Sequence, residues 1–331
     1  MSVWRASNGA ANSSISSFDV KKFLCNIVLF ATILGGLLGG AAFFLPDESA
    51  KKTMLGAQIE KQRRLEELTG GRVIIVGGSG CGQGFVTSNL CVALNRPVYN
   101  MGLHAGLGLI YQMKVVEPLV RRGDTVLVIP EYANFEESTC FGNTELLMMV
   151  CDIIPEQKKL LSFRQWLHLL PIIPKYGADK IRHVFMPTRV KDMSSDFDAF
   201  GDSIGSSATS RLAHVPFPLA RHKGANSFNG TALGYISDFV AAVCAKGGEV
   251  YLFPPAFQAS SFRRQERYVG NVYMQCDSAG LPFVALPSRY AMDDKYFYDS
   301  PYHLNRAGRE IRSRLIIDDL KRLNECSEDA F

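Results

Sequence analysis

Val73-Ile74-Ile75-Val76-Gly77-Gly78-Ser79-Gly80-Cys81-Gly82-Gln83-Gly84 is the stretch on which the reading of the whole chain turns. Four β-branched residues run straight into a turn of small residues. An apolar run of this kind marks a central strand covered on both faces. The glycines let the backbone turn sharply and come close to a ligand. Ser79 is the hydroxyl in this stretch, and it stands where a strand hands over to a helix. Open α/β sheets bind their ligands there, outside the carboxyl ends of the strands.

Several chemistries use such a turn. A phosphate loop needs a lysine after its last glycine, but Gly82 is followed by Gln83. A dinucleotide fingerprint needs a glycine at 83 or 85, where Gln83 and Phe85 stand. A Gly-x-Ser-x-Gly elbow fails at Cys81. Two readings remain for the turn itself: Ser79 as a nucleophile, or glycines that serve tight packing alone.

Downstream of this strand the pattern alternates. A helix is expected over 84–94, a short strand over 97–100, a helix over 105–122 and a strand over 125–129. After a long interruption a helix is expected over 231–245, a strand over 249–253, a helix over 261–279, a strand over 282–286 and a closing helix over 305–323, with Asn305 as its N-cap. This order predicts an α/β fold with a parallel five-stranded sheet and right-handed crossovers.

The loop before the closing helix reads Tyr298-Asp299-Ser300-Pro301-Tyr302-His303-Leu304-Asn305. In a parallel sheet it lies on the same edge as Ser79. A serine hydroxyl needs a base to take its proton and a third group to hold that base. His303 and Asp299 supply those roles, or else they only cap the closing helix.

The Gly-Gly-Ser turn, the second block Val98-Tyr99-Asn100-Met101-Gly102 and the late Asp299 and His303-Leu304-Asn305 resemble the SGNH (GDSL-like) hydrolase superfamily. The branch they look most like is the membrane-anchored envelope proteins related to DltD and to alginate O-acetylation proteins. The resemblance covers about 72–130 and 231–323. It implies a flavodoxin-like three-layer α/β/α sandwich and ester hydrolysis or acyl transfer. It implies Ser79 as nucleophile, His303 as base and Asp299 as its partner, with Ser79 and Gly102 as oxyanion donors. Gly78 stands where the name motif has Asp, and the Asp299–His303 spacing is one residue longer than usual. The third-block Gly-x-Asn-Asp is absent; Asn134 or Tyr132, after the third strand, is the candidate replacement. Gly201-Asp202-Ser203 spells part of the motif, but no strand precedes it, so it reads as coincidence.

The N-terminal 1–22 is small and polar, a disordered tail. Phe23 to Leu45 carries no charge and is long enough to cross a membrane. Lys21 and Lys22 at its start argue for a cytoplasmic tail and an extracytoplasmic domain, although Lys51 and Lys52 follow its end. This places the chain in the inner (plasma) membrane as a single-pass protein. Segment 46–71 mixes Glu60, Glu66 and Glu67 with Lys61, Arg63 and Arg64 and reads as a solvated linker helix. Residues 72–331 form the globular domain, with a helical insertion at about 140–230. That insertion is an ordinary cap, or a surface whose residues 160–173 touch lipid. Residues 188–230 read as a long polar loop.

A chain of 331 residues with 47% hydrophobic and 21% charged residues can bury a sizeable core. A net charge of +4 without a basic, aromatic-interleaved stripe argues against nucleic acid. No cofactor is called for, and the Cys and His spacings hold no metal site. His104 is a possible lining residue of the site. Outside the cytoplasm Cys140 with Cys151, or Cys244 with Cys276, are candidate disulfides, and Cys81 is a rival nucleophile. Two function classes stand open. One is a serine esterase or O-acyltransferase working on an envelope polysaccharide, with an acyl donor supplied through a multispanning membrane acyltransferase. The other is a non-catalytic partner of such a complex that keeps the fold.

Overall fold

A computed structural model of the chain describes residues 17–136, 138–204 and 227–328. Of the expected disordered tail over 1–22, residues 1–16 lie outside them and 17–22 are helical instead; the middle of the expected polar loop also lies outside, with His214 and His222. In chain order the main elements are α1 (Ser17–Phe44), α2 (Ala57–Glu67), β1 (Val73–Gly77), the short turn α3 (Ser79–Gly82) and α4 (Thr87–Leu94). They continue with β2 (Val98–Asn100), α5 (Leu109–Val116), β3 (Thr125–Ile129), α6 (Thr144–Met148), α7 (Phe163–Leu169) and α8 (Ile173–Phe185). The chain closes with α9 (Thr231–Ala245), β4 (Glu249–Leu252), β5 (Phe257–Gln258), α10 (Ala259–Ser278), β6 (Ala291–Met292) and α11 (Arg306–Glu328).

The main sheet has four strands, all parallel, in the order β2-β1-β3-β4. The strands alternate their side chains between two cores. Val73, Ile75, Leu127 and Ile129 face a cluster with Leu90 of α4 and Ile316 and Leu320 of α11. Ile74, Val76, Val126 and Val128 face a larger one with α5, α9 and α10. Helices therefore cover both faces, and β1 and β3 are buried at every position. Their burial, at about 1.5–3 kcal/mol per large side chain, is the main force holding the layers together.

The expected fifth strand is a single parallel bridge, Leu252 to Phe283, with the Val284 N–H donating to Leu252 O at 2.8 Å. Pro282 and Pro287 bracket it, and a proline cannot donate to a ladder. The expected 84–94 helix begins at Thr87, and the 105–122 helix is shorter at both ends. His104 Nδ1 caps a 3-10 turn at its start, and Pro118 sits in another at its end. Asn305 caps α11 through the Gly308 N–H at 3.1 Å, as expected.

The linker is not solvated. α2 carries exposed pairs such as Arg64 with Glu60 at 2.6 Å, but its other face is buried through Gln58, Lys61 and Leu65. Arg72 then ties α2 to the sheet. It pairs with Asp124 at 2.5 Å inside the protein and donates to Leu65 O and Leu119 O. Lys61 Nζ donates to three backbone carbonyls, Asn100 at 2.9 Å, Gly102 at 2.6 Å and Gly201 at 2.6 Å. Three acceptors need three N–H groups, so this geometry is that of the ammonium.

Burial pushes Lys61 down to about 7 from an ordinary 10.5, while Asp202 and Asp198 pull the other way. Its folded value lies below its unfolded one. Between pH 7 and 10.5 the unfolded chain therefore binds more protons, and the lysine's desolvation cost shrinks as pH rises through that window. Lys61→Met is expected to lower stability by about 2–4 kcal/mol, since it leaves buried carbonyls unpaired. Denaturation of both proteins at pH 7 and 9.5 checks the sign. The wild type should gain on the variant at the higher pH, and an unchanged gap would refute the assignment.

Candidate active site

The chain passes from β1 to β2 on one side and to β3 on the other, so a crevice opens at the carboxyl end of β1. Ser79 begins the α3 turn there, nearly buried, after an extended Gly78. Between β6 and α11 the chain folds back on itself through the antiparallel bridge Phe297 to Leu304. The Tyr302 ring packs on Phe257 at 4.9 Å and fixes this loop against β5. The loop aims His303 at the turn.

The three expected side chains form one hydrogen-bonded chain. His303 Nε2 lies 2.8 Å from Ser79 Oγ, and Nδ1 lies 2.6 Å from Asp299 Oδ1. Asp299 is half-exposed, while His303 is mostly covered. With Nδ1–H donating to the carboxylate, Nε2 is the acceptor for the serine hydroxyl. This arrangement can draw the proton from Oγ and hold the resulting imidazolium.

The expected oxyanion donors are placed differently. Gly102 lies against the serine turn; a Cβ on it would meet Cys81 Cβ at 2.5 Å and Gly82 N at 2.5 Å. Its N–H, however, donates to Asn100 Oδ1 at 2.9 Å. Asn134 Oδ1 accepts the Glu131 N–H at 2.9 Å in a capping box. The Ser79 N–H and Asn134 Nδ2 have no acceptor among the described residues. Tyr132 turns inward, its buried hydroxyl without a partner among the described residues and its ring edge-on to Phe257. His104 spends Nδ1 on the Gly106 N–H at 3.0 Å.

Several buried polar residues shape this turn and were not singled out for it by sequence. Glu131 Oε1 accepts the Gly80 N–H at 3.1 Å, and burial raises its carboxyl, opposed by that bond and by the nearby His303 and His104. Its position directly after the apolar β3 was the available signal. Asn100 Nδ2 donates to Cys81 O at 2.9 Å and to Asp202 Oδ1 at 2.8 Å. Asp202 also takes the Thr87 N–H and hydroxyl, both at 2.6 Å. Gly201-Asp202-Ser203 is thus no idle loop: it holds no nucleophile, but it buttresses the turn that does hold Ser79. Arg312 donates to Gly80 O at 2.6 Å from beneath, stacked over Phe85.

Every described cysteine is a free thiol, so neither expected disulfide is present; Cys276 is buried and Cys244 exposed. Among the described residues no cluster of His, Cys, Asp and Glu could hold a metal.

No family profile matches the chain, and no curated protein does. A solved structure that is similar is protein YxiM from Bacillus subtilis, with 14% identity over 77% of this chain and a TM-score of 0.38. The match spans 58% of that protein's length, and a likeness of this size carries neither family nor activity.

Cys81 is buried beside Ile129 O, and burial pushes its thiol up to about 11. A thiol in that state is a poor nucleophile. Iodoacetamide at pH 8 on the native protein is therefore expected to modify Cys244 and leave Cys81 untouched, as read by peptide mass spectrometry. Rapid alkylation of Cys81 would restore it as a rival to Ser79.

Proposed function

We propose that this chain is a membrane-anchored serine esterase or O-acyltransferase of the SGNH type that modifies a cell-envelope polysaccharide. The observation that carries the reading is the Ser79–His303–Asp299 chain at the carboxyl end of β1, built from residues more than two hundred positions apart. The parallel order β2-β1-β3-β4 with helices on both faces supports a flavodoxin-like three-layer α/β/α sandwich. The N-terminal helix, uncharged over 23–44, supports a single-pass anchor. Lys21 and Lys22 favour an extracytoplasmic domain on the inner (plasma) membrane.

In this reading Ser79 Oγ attacks an acyl carbonyl as its proton passes to His303 Nε2. The oxygen–carbon bond to the leaving group breaks, and that group takes the proton from Nε2. Water or a glycan hydroxyl then attacks the acyl-serine, giving up its own proton to Nε2, and Ser79 Oγ recovers that proton as it leaves. Asp299 holds the imidazole throughout. The Ser79 N–H and the Asn134 amide are the donors left to meet the oxyanion. The polysaccharide, the acyl donor and a multispanning membrane acyltransferase are the partners this reading requires.

One observation favours the second reading, a non-catalytic binding partner of an acyltransferase complex. Both Gly102 and Gly80 have their N–H groups engaged by side chains, which leaves the oxyanion site with fewer donors. A fluorophosphonate probe on the detergent-solubilised full chain separates the two. Covalent labelling should be lost in Ser79→Ala and slowed about 100-fold or more in His303→Ala. A folded wild-type protein that takes no label would sink the enzyme reading.

A further inference from the structure

The anchor helix does not dangle from the domain. Its last two turns are part of it. Ala42 is fully buried, and α8 crosses it so closely that a Cβ on Gly177 would lie 1.9 Å from Leu38 O. Lys180 Nζ donates to Ala42 O at 3.1 Å, and the Trp166 ring of α7 meets Phe43 at 6.0 Å.

The exposed, uncharged part of α1 runs from Phe23 to Leu37, after Lys21 and Lys22. At 1.5 Å per residue those 15 residues span about 22 Å. With the two lysines reaching to the headgroups at its start, this spans most of a hydrocarbon core of about 30 Å. The bilayer surface therefore falls near Leu38, the level at which α8 is attached.

Beside that attachment the protein shows apolar side chains to the outside. Phe163, Leu167 and Leu170 are 76%, 52% and 60% exposed. Their spacing, i, i+4 and i+7, puts them on one face of α7. Val184, Phe185 and Met186, at the end of α8, are likewise exposed, and so is Phe44. Arg164 stands exposed beside them, and Lys175 and Arg182 are exposed and ion-paired with Asp179 at 2.7 Å and 3.9 Å. Apolar side chains with interspersed cations are the composition of a helix lying in a lipid interface.

We infer that α7 and the end of α8 form a second membrane contact, in which Phe163, Leu167, Leu170 and Phe185 enter the bilayer that holds α1. The inference rests on reading α1 as the membrane anchor. Its occupant is phospholipid, argued from the continuity of the apolar face with the anchor and from where the free part of α1 ends. With two contacts the domain is seated on the surface at a fixed attitude and does not swing on a single helix.

Tryptophan quenching tests it in the full chain, reconstituted into vesicles of phosphatidylcholine brominated near the top of the acyl chain. Leu167→Trp and Phe185→Trp alter exposed positions, so each variant should keep the fold. Each is expected to lose at least half of the added emission. Val92→Trp, at an exposed apolar position of α4 outside this face, should lose none. Phe30→Trp reports on the anchor itself, with lipid brominated deeper in the chain. Quenching at Phe30 with Leu167 and Phe185 behaving like Val92 would overturn the second contact, leave the anchor in place and hand the face to a protein partner. Absence of quenching at Phe30 as well would overturn the anchor and the contact together.

Discussion

The turn that carries Ser79 is held by the side-chain amide of Asn100. Its Oδ1 takes the Gly102 N–H, and its Nδ2 serves both Cys81 O and Asp202 Oδ1. Three segments distant in sequence are fixed to one planar group, which is fully buried and cannot rotate without breaking all three bonds. β2 is only Val98–Asn100, too short for its ladder alone to fix the turn that follows it. Lys61 grips the same turn from outside through the Asn100 and Gly102 carbonyls. The second block is thus positioned by polar bonds, in a place where the fold offers little strand.

That constraint has a chemical consequence. The amide that locates Gly102 also uses its N–H, so positioning and charge stabilisation compete for one donor. In the proposed mechanism the oxyanion then depends on Ser79 and Asn134. Glu131 sets a carboxyl beside the same turn. As an anion it would oppose a developing negative charge, but burial favours its neutral form, which would not. The low polarity that raises the Glu131 pKa also strengthens whatever donors remain.

Much of this was legible from the sequence, and the reasons differ by element. Apolar runs such as 73–76 and 125–129 have no alternative but a covered strand, and they appear as β1 and β3. Asp299 and His303 were legible because a parallel sheet sends successive strand ends to one edge. The fifth strand was not, because a short apolar run between prolines cannot build a ladder on hydrophobicity alone. α2 was misjudged because its exposed face is rich in ion pairs. Its one deeply buried cation, Lys61, is indistinguishable by composition from the solvated ones. Asp202 was dismissed for lack of a preceding strand, yet its partner Thr87 lies 115 residues away, and no local pattern encodes such a contact.

A second buried polar node does for the anchor what Asn100 does for the site. Asp152 lies nearly buried in the insertion, accepting from Lys180 at 2.6 Å, from the Tyr176 hydroxyl and from the Asp47 N–H at 3.2 Å. It joins the chain just past α1 to α8. An isolated charge buried this way is costly unless its partners are in place. The node therefore favours the single arrangement in which α8 lies against the anchor. A flexible tether would need none of these bonds. Their presence means that the direction of α1 relative to the sheet is set inside the folded domain, before any membrane or partner acts on it.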